Sequence, residues 1–248
     1  MPVLGLREFD TGTGGLREID IRAELKKIES RGFIRTMRPG DTGIGFTLET
    51  LLGLRETNVR GRQDFTYDGK PIELKSQRRT TTSMMTLFTM EPHKMQFDDR
   101  RMIETYGYIN RHKRKGLKVT LTTKAFVPQG LKLRVDVGQE KLIIVDRDGR
   151  EPWCWTMNDL KPKIERLLLV FADSKGTGTE EEFYYNEAYL LSGLQTKSFF
   201  TKFDERVLVV DLRMHIRNND TVRNHGTAFR IRGLEKLMDC YDDREKLL

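Results

Sequence analysis

Short apolar runs of strand length alternate with helix-period segments along this chain, which predicts an α/β protein built on a mixed central sheet flanked by helices. Three observations carry that expectation. The runs Leu167–Ala172 and Val207–Met214 have the Leu/Val content of strands buried on both faces. Asp68-Gly69 lies between two alternating segments and is a strong two-residue hairpin turn. Apolar residues spaced by three and four, such as Ile21, Leu25 and Ile28, mark amphipathic helices.

The elements follow in order. Residues 1–16, with Thr11-Gly12-Thr13-Gly14-Gly15, read as a loosely held terminus. A helix is expected within Arg17–Arg31, ended by Gly32. Asp41 and Thr42 offer N-caps for a second, running through Phe46, Leu48, Leu51 and Leu52 to Gly53. The hairpin pairs Asp64–Tyr67 with Lys70–Lys75. Met84–Met90 reads as a buried strand and Asp98–Tyr106 as a short helix. Strands are expected at Val119–Phe126, Leu131–Val137, Lys141–Val145 and Trp153–Trp155, with a helix at Met157–Ile164. Ser174–Thr179 is a flexible loop whose Gly-x-Gly lacks the lysine and the strand-to-helix context of a phosphate loop. Tyr184–Phe203 reads as mostly helical, and Leu234–Tyr241 as a last helix. No repeats or heptads occur. The whole chain reads as one domain in two lobes, roughly 17–127 with a charged motif at 49–75, and roughly 128–248 with the remaining sheet.

With 248 residues the chain can bury a sizeable core. Its 44 Lys and Arg against 37 Asp and Glu give a formal charge of +7, a modest excess that matters through its clustering. Arg111–Lys118 holds five fixed positive charges in eight residues; further groups lie at Arg55, Arg60 and Arg62, at Lys75, Arg78 and Arg79, and along Arg213–Arg232. Such clusters can neutralise phosphates and release counterions, although each alone is equally compatible with a solvated loop. The two cysteines, Cys154 and Cys240, exclude a disulfide framework or a thiolate metal site. No secretion signal is evident, and no apolar run approaches the ~20 residues that span a bilayer, so a cytoplasmic protein is expected.

The chemistry concentrates at the hairpin. If Asp68-Gly69 is its turn, Phe65 pairs with Ile72 and Asp64 with Glu73. Residues opposed across the pair, and those two apart on a strand, share a face. Asp64, Glu73 and Lys75 then converge on one face while Ile72 and Leu74 turn to the core. Opposed carboxylates destabilise an ordinary sheet, and a divalent cation between them removes that cost. Two carboxylates suit Mg²⁺, which takes hard oxygen ligands and keeps waters for phosphate and nucleophile. Lys75 beside them can orient a water or stabilise developing charge. Alone, Asp…Glu-x-Lys is frequent by chance and better describes an exposed charged hairpin.

Further segments carry a resemblance. Thr42–Glu49, Asp64, Ile72-Glu73-Leu74-Lys75, Thr86-Leu87-Phe88-Thr89, Ile164–Ala172, Val207–Leu212 and His225–Ile231 occur in the order seen in the MvaI/BcnI type of type II restriction endonuclease, which the chain resembles from about Glu18 to Leu248. These enzymes are relatives of the MutH nicking enzyme. The resemblance implies a MutH-like nuclease core with a DNA-recognition lobe, and Mg²⁺-dependent cleavage of double-stranded DNA. It makes Asp64 and Glu73 metal ligands, Lys75 the catalytic lysine and Glu49 an additional helix-borne acid. Eight residues separate Asp64 from Glu73, more than is usual in the family, and Asp68 lies nearer the usual spacing. Hairpin pairing selects Asp64, because Asp68 belongs to the turn.

The segment His225–Ile231 is similar to the family's recognition segment, which makes His225 and Arg230 the residues expected to touch base edges, with Arg223 beside them. Arg230 could equally contact phosphate, and His225 could equally support the turn at Gly226. Arg78, Arg79, Arg111, Lys113, Arg114 and Lys115 are expected to track the backbone. The resemblance further implies a short GC-rich, CCNGG-like target, a monomer that nicks the strands in turn, and a cognate DNA methyltransferase in the same cell. The rival expectations are a MutH-like repair nickase and a DNA-binding module without catalysis.

Overall fold

A computed structural model describes residues 16–54 and 63–248. The Gly/Thr-rich stretch Thr11–Gly15 and the basic residues Arg55, Arg60 and Arg62 lie outside the described residues. In chain order the elements are α1 (Ile21–Glu29), β1 (Ile34–Arg35), α2 (Gly43–Leu51), β2 (Phe65–Tyr67), β3 (Lys70–Arg78), β4 (Met85–Thr89) and β5 (His93–Lys94). Then come α3 (Asp99–Tyr106), β6 (Tyr108–Ile109), β7 (Lys115–Leu121), β8 (Leu131–Asp136), β9 (Lys141–Asp146), β10 (Trp153–Thr156) and α4 (Met157–Leu160). The chain ends with β11 (Leu167–Lys175), β12 (Glu182–Leu194), α5 (Thr196–Asp204), β13 (Leu208–Ile216), β14 (Val222–Asn224), β15 (Ala228–Ile231) and β16 (Tyr241–Lys246).

Two compact units result, each assembled from separate stretches of chain. Among the described residues, one comprises 16–54, 63–81, 164–193 and 242–248; the other comprises 82–163 and 194–241. In the first unit the sheet order is β1-β12-β11-β3-β2, with β16 on β12. Its β3–β11 pair is parallel and its β11–β12 pair antiparallel, so the sheet is mixed, as expected. Helices α1 and α2 place Leu25, Ile28, Ile44 and Leu48 on the apolar face formed by Phe65, Ile72, Leu74, Leu168 and Val170. Asp20 caps α1, its carboxylate accepting the Ala23 amide. The hairpin register is the one the turn dictates: Phe65 faces Ile72, Thr66 faces Pro71 and Tyr67 faces Lys70. Asp68 and Gly69 both have positive φ, 53° and 66°, as a two-residue turn of this hand demands.

The second unit holds two antiparallel sheets, β5-β10-β9-β8 and β4-β15-β13-β7-β6, with β14 on the far end of β13. Trp155, Phe88 and Phe203 all pack against Phe229 on β15, an aromatic core between the sheets and α5. The chain carries no helix long and apolar enough to cross a membrane among the described residues.

Two expectations about elements are corrected, and one strand was not foreseen. Tyr184–Phe203 is not mostly helical: it contains the long strand β12 followed by the shorter α5. Phe183 and Tyr185 alternate inward, then the register shifts opposite Phe171 and Ala172, so that inward alternation resumes at Ala188 and Leu190. That bulge puts Tyr185 and Ala188 three apart, imitating helical spacing. The strand expected at Val119–Phe126 runs instead from Lys115, which pairs with Ile109 of β6, to Leu121. The charged tail Tyr241–Lys246 is a strand that apolar patterning does not reveal, since only Tyr241 in it is buried.

Candidate functional site

In the first unit, strand β3 alternates Ile72 and Leu74 into the core with Glu73 and Lys75 on the opposite face. Lys75 Nζ donates to Glu73 Oε1 at 2.6 Å, an ion pair that is mostly shielded from solvent. Asp64 lies just before β2. Its amide donates to the Ile72 carbonyl at 3.0 Å, and its Oδ2 accepts the Leu74 amide at 2.7 Å. Burial pushes the Asp64 carboxyl above the usual carboxylate range, against the opposing pull of Lys75 and the Leu74 N–H. Asp64, Glu73 and Lys75 are thus brought together, while Asp68 stays at the hairpin tip.

Glu49 sits on the last turn of α2. A Cβ at Gly45, one turn earlier, would lie 3.8 Å from Glu49 Oε1 and 3.7 Å from Ser76 Oγ, so Glu49 is carried to β3 next to Ser76. Glu49 also acts on Tyr185, whose phenol is pushed up chiefly by burial and whose Oη donates to the Ile44 carbonyl at 2.7 Å.

A divalent cation fits this donor set. Asp64 is a half-buried carboxylate whose charge is incompletely compensated, and Glu73 supplies a second hard oxygen donor. Among the described residues no three His, Cys, Asp or Glu groups gather as a ready-made metal cage. Two protein carboxylates with the remaining positions left to water and phosphate match the habit of Mg²⁺.

The two arginines after the motif are engaged within the first unit. Arg78 donates through Nε and Nη2 to the two oxygens of Glu181 at 2.5 and 2.7 Å, and through Nη2 to the Gly40 carbonyl at 3.1 Å. Arg79 pairs with Asp173 at 3.1 Å and with Glu187.

In the second unit, β13 collects the basic residues. Pairing sets Arg213 opposite Lys118, and His215 opposite Gly116 on one side and Arg223 on the other. The amide of His225 donates to the Arg213 carbonyl at 2.9 Å, which brings its ring within 5.4 Å of the His215 ring. Arg114 Nη1 lies 3.4 Å from His215 Nε2. Burial lowers both imidazoles below the ordinary value of 6.5, and the surrounding Arg114, Arg213, Arg217 and Arg223 lower them further. These groups line two adjoining depressions of about 440 and 940 Å³. Arg111 and His112 border the larger one, while Lys113, with φ 56°, sits in the turn between β6 and β7. Lys115 donates to the Glu104 carbonyl at 2.8 Å.

Arg230 is on the same sheet face, opposite Val209 of β13 and Thr86 of β4, and is 23% exposed. It donates to Asp211 Oδ2 at 3.1 Å and to the Met84 carbonyl at 2.6 Å. Asp211 also receives Thr120 Oγ1 at 2.6 Å and Arg213 Nη2 at 2.7 Å. Burial raises the Asp211 carboxyl, but these donors outweigh it and hold it below the usual range. Asp211, His215 and Arg217 were not singled out by motif. Only the pairing of β13 with β7 and β14 shows that they share a surface with Arg114 and His225.

The family model of the MvaI/BcnI restriction endonuclease family matches residues 22–237. This chain belongs to that family. Among solved structures, one described as a complex of the restriction endonuclease MvaI with its cognate DNA substrate aligns with TM-score 0.71 at 23% identity, covering 92% of this chain and 97% of that one. MvaI in the absence of DNA aligns with TM-score 0.56 at 21% identity, covering 92% and 96%. No curated protein matches the sequence. Membership makes the protein a site-specific DNA endonuclease of the restriction type, and the mixed α/β architecture is that of MvaI. The expected resemblance is borne out over most of the chain.

Proposed function

We propose that this endonuclease hydrolyses both strands of a short GC-rich, CCNGG-like site using Mg²⁺, with Asp64 and Glu73 holding the metal and Lys75 assisting the reaction. The observation that supports it most is the single cluster made by the Lys75–Glu73 pair and the desolvated Asp64 across one hairpin. When bound, the cation would polarise the scissile phosphate and make a bound water a better nucleophile. The chain's own residues perform the rest. Asp64 is oriented by the Leu74 amide, which fixes one oxygen and leaves the other for a ligand. Lys75 Nζ, held by Glu73, is placed to orient water or to stabilise charge developing on a phosphate oxygen. Glu49 is the additional acid on α2.

In the second unit, His225 reads a base edge, and Arg111, Lys113, Arg114, Lys115 and Arg223 neutralise phosphates. Asp211 holds Arg230 and Arg213 in place at that surface. Under this reading the first unit cuts and the second reads. The enzyme works as a monomer that nicks the strands in turn, and the cell protects its own sites with a methyltransferase. Plasmid incubated with the protein and Mg²⁺, followed by sequencing of the ends, tests the reading. It predicts one discrete CCNGG-like site and no cleavage in excess chelator. Random ends, or cleavage without divalent metal, contradict it.

A further inference from the structure

The hairpin formed by β6 and β7 exposes two large side chains with apolar surface. Ile109 is 67% exposed, more than any other large apolar residue among those described, and Tyr108 beside it is 40% exposed. Isolated apolar side chains on a surface are ordinary. Two adjacent ones on the rim of a cleft lined by Arg111, Lys118, Arg213 and His225 are less so.

The hairpin is stiff. Asn110 N donates to the Arg114 carbonyl at 2.9 Å, and Lys113 N to the Asn110 carbonyl at 2.9 Å. Asn110 Oδ1 accepts the amides of His112 and Arg114 at 2.8 and 3.2 Å. Tyr108 faces Gly116 and Ile109 faces Lys115 across the pair, and β7 is itself bonded along β13. An apolar side chain on such a mount loses little entropy when it is covered.

The occupant must be anionic yet offer apolar faces. A second copy of this chain, carrying formal charge +7 and the same Arg111–Lys118 cluster, would meet like charge at this rim. Double-stranded DNA supplies phosphates for the cations and base faces for the apolar side chain. Apolar wedges on minor-groove proteins enter between base steps and kink the duplex. We propose that Ile109 is such a wedge: it packs against one base step of the bound duplex while Arg111 and Lys113 hold the flanking phosphates. This inference rests on the reading that the second unit binds DNA.

The test uses the full-length protein with Ca²⁺ in place of Mg²⁺, and a duplex carrying the site found by plasmid cleavage with 2-aminopurine at successive positions. The wild type should raise fluorescence at one step, where stacking is broken. Ile109→Ala should abolish that signal and weaken binding roughly ten- to a hundredfold, the burial of one aliphatic side chain, without changing the salt slope. Ile109→Phe should keep the signal. Lys113→Ala should lower the salt slope by about one and leave the signal intact. Failure of the wild type to bind the duplex would overturn the DNA-binding reading and the wedge with it. Tight wild-type binding with an unaltered Ile109→Ala variant would overturn the wedge alone, as would self-association that Ile109→Ala abolishes.

Discussion

Replacing Arg78 with Ala separates a structural guanidinium from a phosphate contact. Arg78 is 19% exposed and Glu181 10%; they share two charge-assisted hydrogen bonds, and Arg78 also ties down the loop before α2 through Gly40. The Phe183 ring lies 5.2 Å from the guanidinium and adds a cation–π contact. Removing one member of a buried pair strands the other charge and costs ~3–5 kcal/mol. Partial exposure favours the low end, about 3 kcal/mol. For a chain of this size each kcal/mol corresponds to roughly 2–4 °C, so thermal unfolding should shift down by roughly 6–12 °C. Arg79→Ala should cost no more than ~1 kcal/mol, because its guanidinium and Asp173 are well exposed. The double variant Arg78→Met/Glu181→Gln should recover part of the loss, since no charge is then stranded. Calorimetry measures the shift, and DNA binding against salt supplies the control. If Arg78→Ala unfolds with the wild type while its salt slope falls by about one, Arg78 is a phosphate contact and the stability argument fails.

Two further outcomes follow from the geometry. Asp64→Asn should eliminate metal-dependent cleavage, whereas Asp68→Asn should retain it, because Asn-Gly serves the same positive-φ turn; a plasmid assay giving the reverse pattern would return the ligand to Asp68. The His215–His225 pair should couple DNA binding to protons. Both imidazoles sit below 6.5 in the free protein, so their contribution to stability is present above 6.5 and is lost as pH falls through the lowered values. A nearby phosphate reverses the local field and raises both, so affinity should increase as pH falls from about 7.5 to 6. Titrations of His215→Gln and His225→Gln should show that increase flattened; an unchanged increase would place the proton elsewhere.

Much of this was legible in the sequence because it depends on local rules. The Asp68-Gly69 turn fixes the hairpin register, and with it the grouping of Asp64, Glu73 and Lys75. What was not legible depends on pairing between distant segments. The bulge in β12 is set by its partner β11, and disguised a strand as a helix. The partners of Arg78 and Arg230, Glu181 and Asp211, lie 103 and 19 residues away in sequence and follow no local rule. His215 joins the candidate DNA surface only because β13 is bonded to β7 and β14 at once.

The central claim is that one hairpin supplies the cutting chemistry and that the other unit supplies DNA binding. Lys75→Ala tests it most directly, with cleavage followed in Mg²⁺ and duplex binding followed in Ca²⁺. Loss of cleavage with binding within a few-fold of wild type is the predicted result. Cleavage at the wild-type rate, or loss of binding equal to the loss of cutting in a folded protein, would contradict it.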